Sequence, residues 1–85
     1  MPKPCILTVH ARVRLQERRI DPKWMEDTVL DPDWTETDPR DPAVERRFRV
    51  FPRLGGRILR VACVETNLDI RVISVMFDRN ARRRP

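Results

Sequence analysis

The stretch VERRFRVFPRLGGRILRVACVET, residues 44–66, decides the fold. Apolar and charged residues alternate on both sides of Gly55-Gly56. The pattern predicts two strands, Val44–Arg53 and Arg57–Thr66, joined by a two-residue hairpin turn. Counting outward from that turn pairs Val50 with Val61 and Phe48 with Cys63 on one face. Arg49 then meets Ala62, Phe51 meets Arg60 and Arg47 meets Val64 on the other. A third strand, Asp69–Arg79, follows a second turn marked by Asn67. A turn at Asn67-Leu68 sets Arg71 beside Val64 and Val72 with Val61 and Cys63. On this register one face carries Phe48, Val50, Leu59, Val61, Cys63, Val72 and Met76 for helices to cover. The other carries Arg47, Arg49, Arg60 and Arg71 over Ala62, Ile73, Val75 and Phe77. A bulge or a turn of odd length would invert part of this assignment.

Ahead of the strands the period lengthens. Thr8 is placed to cap a helix over Val9–Arg19, a run without Gly or Pro whose apolar side is Ala11 and Leu15, with Ile6 or Leu7 leading in. Asp21-Pro22 reads as an N-cap followed by proline at the first helical position, opening a second helix to Leu30 that Asp31-Pro32 ends. Trp24, Met25, Thr28 and Val29 share one face of it, so Trp24 reads as a core anchor before it reads as a base-stacking platform. Residues 31–43 form an acidic, proline-rich connection with room for a short edge strand at Trp34–Thr37. A basic tail, 80–85, is expected to be mobile. The sum is a single α+β domain: two helices (8–30) packed on a three- to four-stranded antiparallel sheet (44–79).

Eighty-five residues bury only about 60% of their unfolded surface, which makes for a small core. No apolar run reaches the roughly 18–20 residues that span a membrane, and MPKPCILTV is too short for a secretory signal. A cytoplasmic bacterial protein is the default expectation. Cys5 and Cys63 show no CxxC spacing, and with the single histidine they are too few for a metal site, so neither metal nor cofactor is expected. The net charge of +5 is unevenly spread. Residues 21–45 hold nine carboxylates against Lys23 and Arg40, while the rest of the chain is strongly basic. Such a division suits a polyanionic partner, although sixteen arginines against two lysines also invite a purely compositional reading.

His10, Arg14 and Arg18 recur at four-residue intervals, which stacks an imidazole and two guanidiniums along one stripe of a helix. Imidazole is the one side chain here whose ordinary pKa, about 6.5, permits proton exchange near neutrality. Guanidinium grips phosphate in a fork. Metal-independent RNA cleavage needs a base, an acid and cations for the charged phosphorane. His10 is the candidate for acid–base work, with Arg14 and Arg71 assisting. Arg47, Arg49 and Arg60 are candidates for phosphate contact. Arg18 either joins them or orients the helix. Glu17 and Glu65 are equally open as second partners. No glycine-rich phosphate loop and no paired-carboxylate motif appears, which argues against nucleotide hydrolysis or a two-metal nuclease.

The block HARVRLQERRI, residues 10–20, resembles the HAxxRxxxRGI signature of the family filed as domain of unknown function 4258. The ending IRVISVMF, residues 70–77, resembles the last strand of that family and of the BrnT-like toxins. The resemblance implies the fold of the RelE/ParE-like toxins, within the barnase–EndoU–colicin–RelE group. It also implies a toxin-type endoribonuclease, acting on RNA free or on the ribosome and restrained by an antitoxin with an acidic segment. By motif position it supports His10, Arg14 and Arg18, and less directly Arg71. Arg19 stands where the signature has glycine. The competing expectation is a non-catalytic basic module for nucleic acid or an acidic protein. A homodimer stays open, and no membrane partner is expected.

Overall fold

The computed structural model describes residues 3–83, and their order is β1 (Cys5–Leu7), α1 (Val9–Glu17), α2 (Pro22–Leu30), β2 (Trp34–Thr37), β3 (Glu45–Phe51), a 3-10 turn (Pro52–Leu54), β4 (Arg57–Glu65) and β5 (Ile70–Phe77). The strands form one five-stranded sheet in the order β1-β5-β4-β3-β2. Both helices lie on one of its faces, making this an α+β domain with a mixed sheet. The expected sheet of three or four antiparallel strands was short by β1, which pairs in parallel with β5 through Cys5–Ile70, Ile6–Arg71 and Leu7–Val72. The Arg84–Pro85 end of the basic tail lies outside the described residues.

Helix α1 begins as its sequence directs. The Thr8 hydroxyl accepts from the Ala11 amide at 3.1 Å, and the Thr8 amide donates to the Val72 carbonyl at 3.1 Å, so strand pairing runs straight into the cap. At the other end Ile20 N donates to Leu15 O at 2.9 Å and Arg19 N to Gln16 O at 3.2 Å. That is a Schellman exit, and it puts Arg19 at φ 52°. The tight turn therefore forms although arginine occupies the glycine position, because Ile20 and Leu15 are both buried beside it. A left-handed conformation is costly for a residue with a Cβ. Arg19→Gly should therefore raise stability by about 0.5–1 kcal/mol, read as a higher urea midpoint at constant slope. A lower midpoint would mean that the Arg19 side chain holds the fold.

Helix α2 opens on Asp21, whose carboxylate accepts from the Lys23 amide at 2.8 Å, with Pro22 at its first position. Met25, Thr28 and Val29 are buried, and the Thr28 hydroxyl is satisfied by the Trp24 carbonyl at 2.8 Å. The core joins Ala11, Leu15, Ile20, Met25 and Val29 of the helical layer to Leu59, Val61, Cys63, Val72 and Val75 of the sheet.

Register is where the structure departs from the sequence reading. Pro52 starts a 3-10 turn, Gly55 N donates to Pro52 O and Gly56 N to Phe51 O, and Gly55 and Gly56 take φ 71° and 78°. The glycines are the left-handed exit of a five-residue loop, not a two-residue hairpin. The pairs are Phe51–Arg57, Phe48–Arg60 and Arg47–Val61, three positions from the expected ones. An odd displacement inverts one strand's faces. Arg47 and Arg49 consequently point toward the helices, and Phe48 and Val50 toward the uncovered face. Along β5, Arg71 does sit opposite Val64, but an irregularity at Ala62/Cys63 adds one residue near Ile73. It turns Val75 and Phe77 to the helical side and Met76, paired with Arg60, to the open side.

Candidate nucleic-acid interface

The two arginines turned inward serve α2. No basic residue stands in the last turn of that helix. Its exposed carbonyl dipoles are met from β3 instead. Arg47 Nη1 donates to the Val29 carbonyl at 2.7 Å, and Arg49 to the Asp31 carbonyl and, at 3.0 Å, to its carboxylate. Arg47 also binds Glu45 and Glu65, each at 2.7 Å. These side chains are structural ties, and neither is placed for phosphate.

Arg60 and Arg71 lie on the open face. Arg60 pairs with Asp78 at 3.0 Å, with both side chains mostly covered. Arg71 is exposed, opposite Ile6 and 3.5 Å from Asp69. The same face holds Phe48, which is 3% exposed because Trp34 stacks on it with centroids 4.8 Å apart. Beside them Ala81 and Arg82 fold back to wall a cleft of about 270 Å³ with Glu36 and Arg46.

His10 is on the opposite layer. It is exposed on α1 and makes no hydrogen bond to any described residue. Arg14, one turn on, pairs with Glu17 at 2.8 Å. Arg18 donates to the Val75 carbonyl at 2.8 Å, tying α1 to the stretch of β5 that extends past β1. The His10–Arg14 strip and the Arg60–Arg71 pair thus occupy different sides of the sheet and share no cleft. Between the two candidate acids, Glu65 is held down to about 2 by Lys3 and Arg47, so it stays ionised and exchanges no proton near neutrality. Glu17 shares the His10 strip. Neither thiol is activated. Burial pushes Cys63 up to about 11, and burial with Glu26 nearby raises Cys5 as well.

The depressed Glu65 pKa fixes a pH dependence. Its ion pairs contribute fully above about pH 4.5, the ordinary value, and are lost as pH falls toward 2. Glu65→Gln should flatten that acid limb of the stability profile, measured by urea melts between those limits. An unchanged limb would show that the Lys3 and Arg47 contacts do not persist in solution.

A different group of cations gathers at the end of the sheet where the β3–β4 turn lies. Arg53 is in the 3-10 turn, Arg57 is the first residue of β4 and Arg79 follows β5. Arg19 leaves α1 two residues before Asp21, which lines a cleft with Arg53. All four are exposed, and none has a carboxylate partner among the described residues. The aromatic groups at this end pack on one another. Trp24 meets Phe51 at 6.2 Å and Phe77 at 6.3 Å, and Arg57 lies over the Phe77 ring at 3.8 Å. Two clefts open here. One, of about 370 Å³, runs between Trp24, Lys23 and Arg53 with Asp21 and Asp27 also in its wall, and the other, of about 190 Å³, lies between Arg57, Phe77, Asp78 and Arg79. Alignment across strands does not single these arginines out, since Arg19, Arg53 and Arg79 lie outside the strands. The available signal was position: Arg53 and Arg79 fall in turns with no cross-strand neighbour, and Arg57 opens its strand opposite an uncharged residue, Phe51.

Two helices on one face of a mixed sheet, with a basic end beyond them, define a small α+β domain with a cationic flank. A family model described as a domain of unknown function, DUF4258, matches residues 7–77, and the chain belongs to that family. Comparison with curated proteins and with solved structures found no match. Among the described residues no cluster of His, Cys, Asp or Glu is arranged to hold a metal, and no helix is long and apolar enough to cross a membrane.

Proposed function

We propose that this domain binds RNA, holding its phosphate backbone at the turn end with Arg19, Arg53, Arg57 and Arg79. The observation that carries this reading is that these four come to one end of the sheet without a carboxylate partner, whereas Arg46, Arg47, Arg49 and Arg60 have their charges met within the fold. Like charges grouped at one end raise the local potential, and a polyanion relieves it. Kinship with the RelE/ParE-like and BrnT-like toxins belongs to the same proposal. Two N-terminal helices against a largely antiparallel sheet is the arrangement expected of that group, and a basic flank suits its polyanionic ligand. Each neutralised phosphate releases counterions, so log affinity should fall against log salt with a slope of about −0.7 per contact on a single strand. Four contacts give a slope near −3, measured by fluorescence anisotropy of a labelled RNA oligomer. Absence of binding at low salt, or a slope near zero, overturns the proposal.

One observation favours a second reading, a metal-independent endoribonuclease of the toxin type. The His10 imidazole is exposed and unpartnered among the described residues, beside Arg14, whose pairing with Glu17 is exposed and worth at most about 1 kcal/mol. In that chemistry one group takes the 2′-hydroxyl proton, the 2′ oxygen attacks phosphorus, and the other protonates the leaving 5′ oxygen. His10 and Glu17 would divide those roles, with Arg14 on the phosphate, and an acidic antitoxin would compete for the same cations. Under this reading wild type cleaves RNA and His10→Ala loses about a hundredfold or more. Intact RNA after incubation with wild type, under conditions where it binds, removes the nuclease and leaves the binding module.

A further inference from the structure

We infer that Arg57 and Phe77 form a base-stacking subsite, in which an unpaired nucleobase lies on the outer face of the Arg57 guanidinium while the N–H groups at its edge keep their phosphate contact. The inference rests on the RNA-binding reading and specifies the form of RNA: single-stranded, with at least one base splayed out. Arg57 Cζ lies over the Phe77 ring, 3.8 Å from its centroid, so the guanidinium rests in contact with the ring face. The ring supports the guanidinium from below, and Arg57 as a whole is exposed, which leaves it accessible to a ligand. Phe77 cannot swing away readily, because the Trp24 ring meets it edge-on at 6.3 Å. The cation thus rests on a ring before any ligand arrives, which lowers the entropic cost of ordering a long side chain when a base binds.

The surroundings suit a base more than a second phosphate. The cleft is lined by Arg57, Ile58, Phe77, Asp78 and Arg79 and has a volume of about 190 Å³. That is smaller than the 300–1,000 Å³ of an enclosing ligand pocket and fits one flat ring laid against its wall. Asp78 would repel an anion, but its two oxygens are engaged, one by Arg60 at 3.0 Å and the other by the Asn80 amide at 2.9 Å. Arg79 and Arg53 flank the subsite and can take the phosphates on either side. Duplex RNA keeps its base planes inside the stack, so it offers nothing to this surface. Arginine planes and aromatic rings are the usual supports of splayed bases.

The test compares wild type with Arg57→Lys, which keeps the charge and loses the plane. The probes are a short oligouridylate and the same backbone with abasic positions. Wild type should bind the base-bearing oligomer about fivefold more tightly than the abasic one. Arg57→Lys should bind both equally, at the abasic level. If the two oligomers bind wild type alike, or if the lysine variant keeps the preference, the subsite is refuted while salt-dependent RNA binding stands. If a polyglutamate peptide of matched charge binds wild type as tightly as the base-bearing oligomer, the occupant is an acidic protein and the inference fails. Circular dichroism of the exposed-site variant confirms that it is folded.

Discussion

Arg47→Ala should lower unfolding free energy by about 2–3 kcal/mol and leave RNA affinity unchanged. The side chain is 11% exposed and serves three acceptors: the Val29 carbonyl, Glu45 and Glu65. The two carboxylates are roughly half exposed, so water can recover part of their solvation once the cation is gone. The Val29 carbonyl cannot be recovered as easily. It belongs to the last turn of a helix that carries no basic residue of its own there, and its partner is supplied across the layer. Packing of the arginine stem between α2 and β3 is lost as well. For a domain whose total stability lies in the ordinary range of about 5–15 kcal/mol, the change is large. It should appear as a fall in the urea midpoint without a change in slope. Arg47→Lys should restore only part, because one ammonium cannot reach three acceptors in the fork geometry. A loss below about 0.5 kcal/mol would mean that the α2 terminus needs no external cap.

Replacing Arg53, Arg57 and Arg79 together by glutamine should leave the fold intact and weaken RNA binding at least tenfold at low salt. All three are exposed, and none makes an ion pair among the described residues, so stability has little to lose. The diagnostic quantity is the salt slope. Three lost phosphate contacts at about 0.7 each should reduce it by about 2. The matched control is a triple replacement of Arg46, Arg60 and Arg71 on the open face, which already face Asp38, Asp78 and Asp69 respectively. That control should alter the slope by less than one contact's worth. The reverse ranking would move the binding surface to the open face of the sheet.

Local chemistry in the chain was legible because local chemistry builds those elements. Thr8 caps α1, Asp21-Pro22 starts α2, and Trp34–Thr37 forms the edge strand, each within a residue of the reading from composition and spacing. What could not be read is set at a distance. Strand β1 is three residues long and exists through parallel pairing with a strand more than sixty positions later. Gly55-Gly56 has the composition of a two-residue hairpin, yet Pro52 begins a 3-10 turn that uses both glycines as its exit. One odd displacement then exchanges the faces of the arginines. Charged residues alternating with Phe48 and Val50 looked like a half-solvated strand, while Arg47 and Arg49 were in fact needed under α2. Of the candidate site, the basic character of the chain and the four-residue spacing of His10, Arg14 and Arg18 were visible. The turn-end cluster was not, since Arg19, Arg53, Arg57 and Arg79 come from four segments that only the tertiary fold assembles.

Whether the basic end is the contact surface is settled most directly by amide chemical-shift mapping during titration with a single-stranded RNA oligomer. The largest shifts should fall on Arg53–Arg57 and Phe77–Arg79, with Arg19 and Trp24 following and the His10–Arg14 strip nearly silent. Shifts centred on His10, Arg14 and Glu17, or on the open face around Phe48 and Arg71, would contradict that placement, and a spectrum unmoved by RNA would contradict binding altogether.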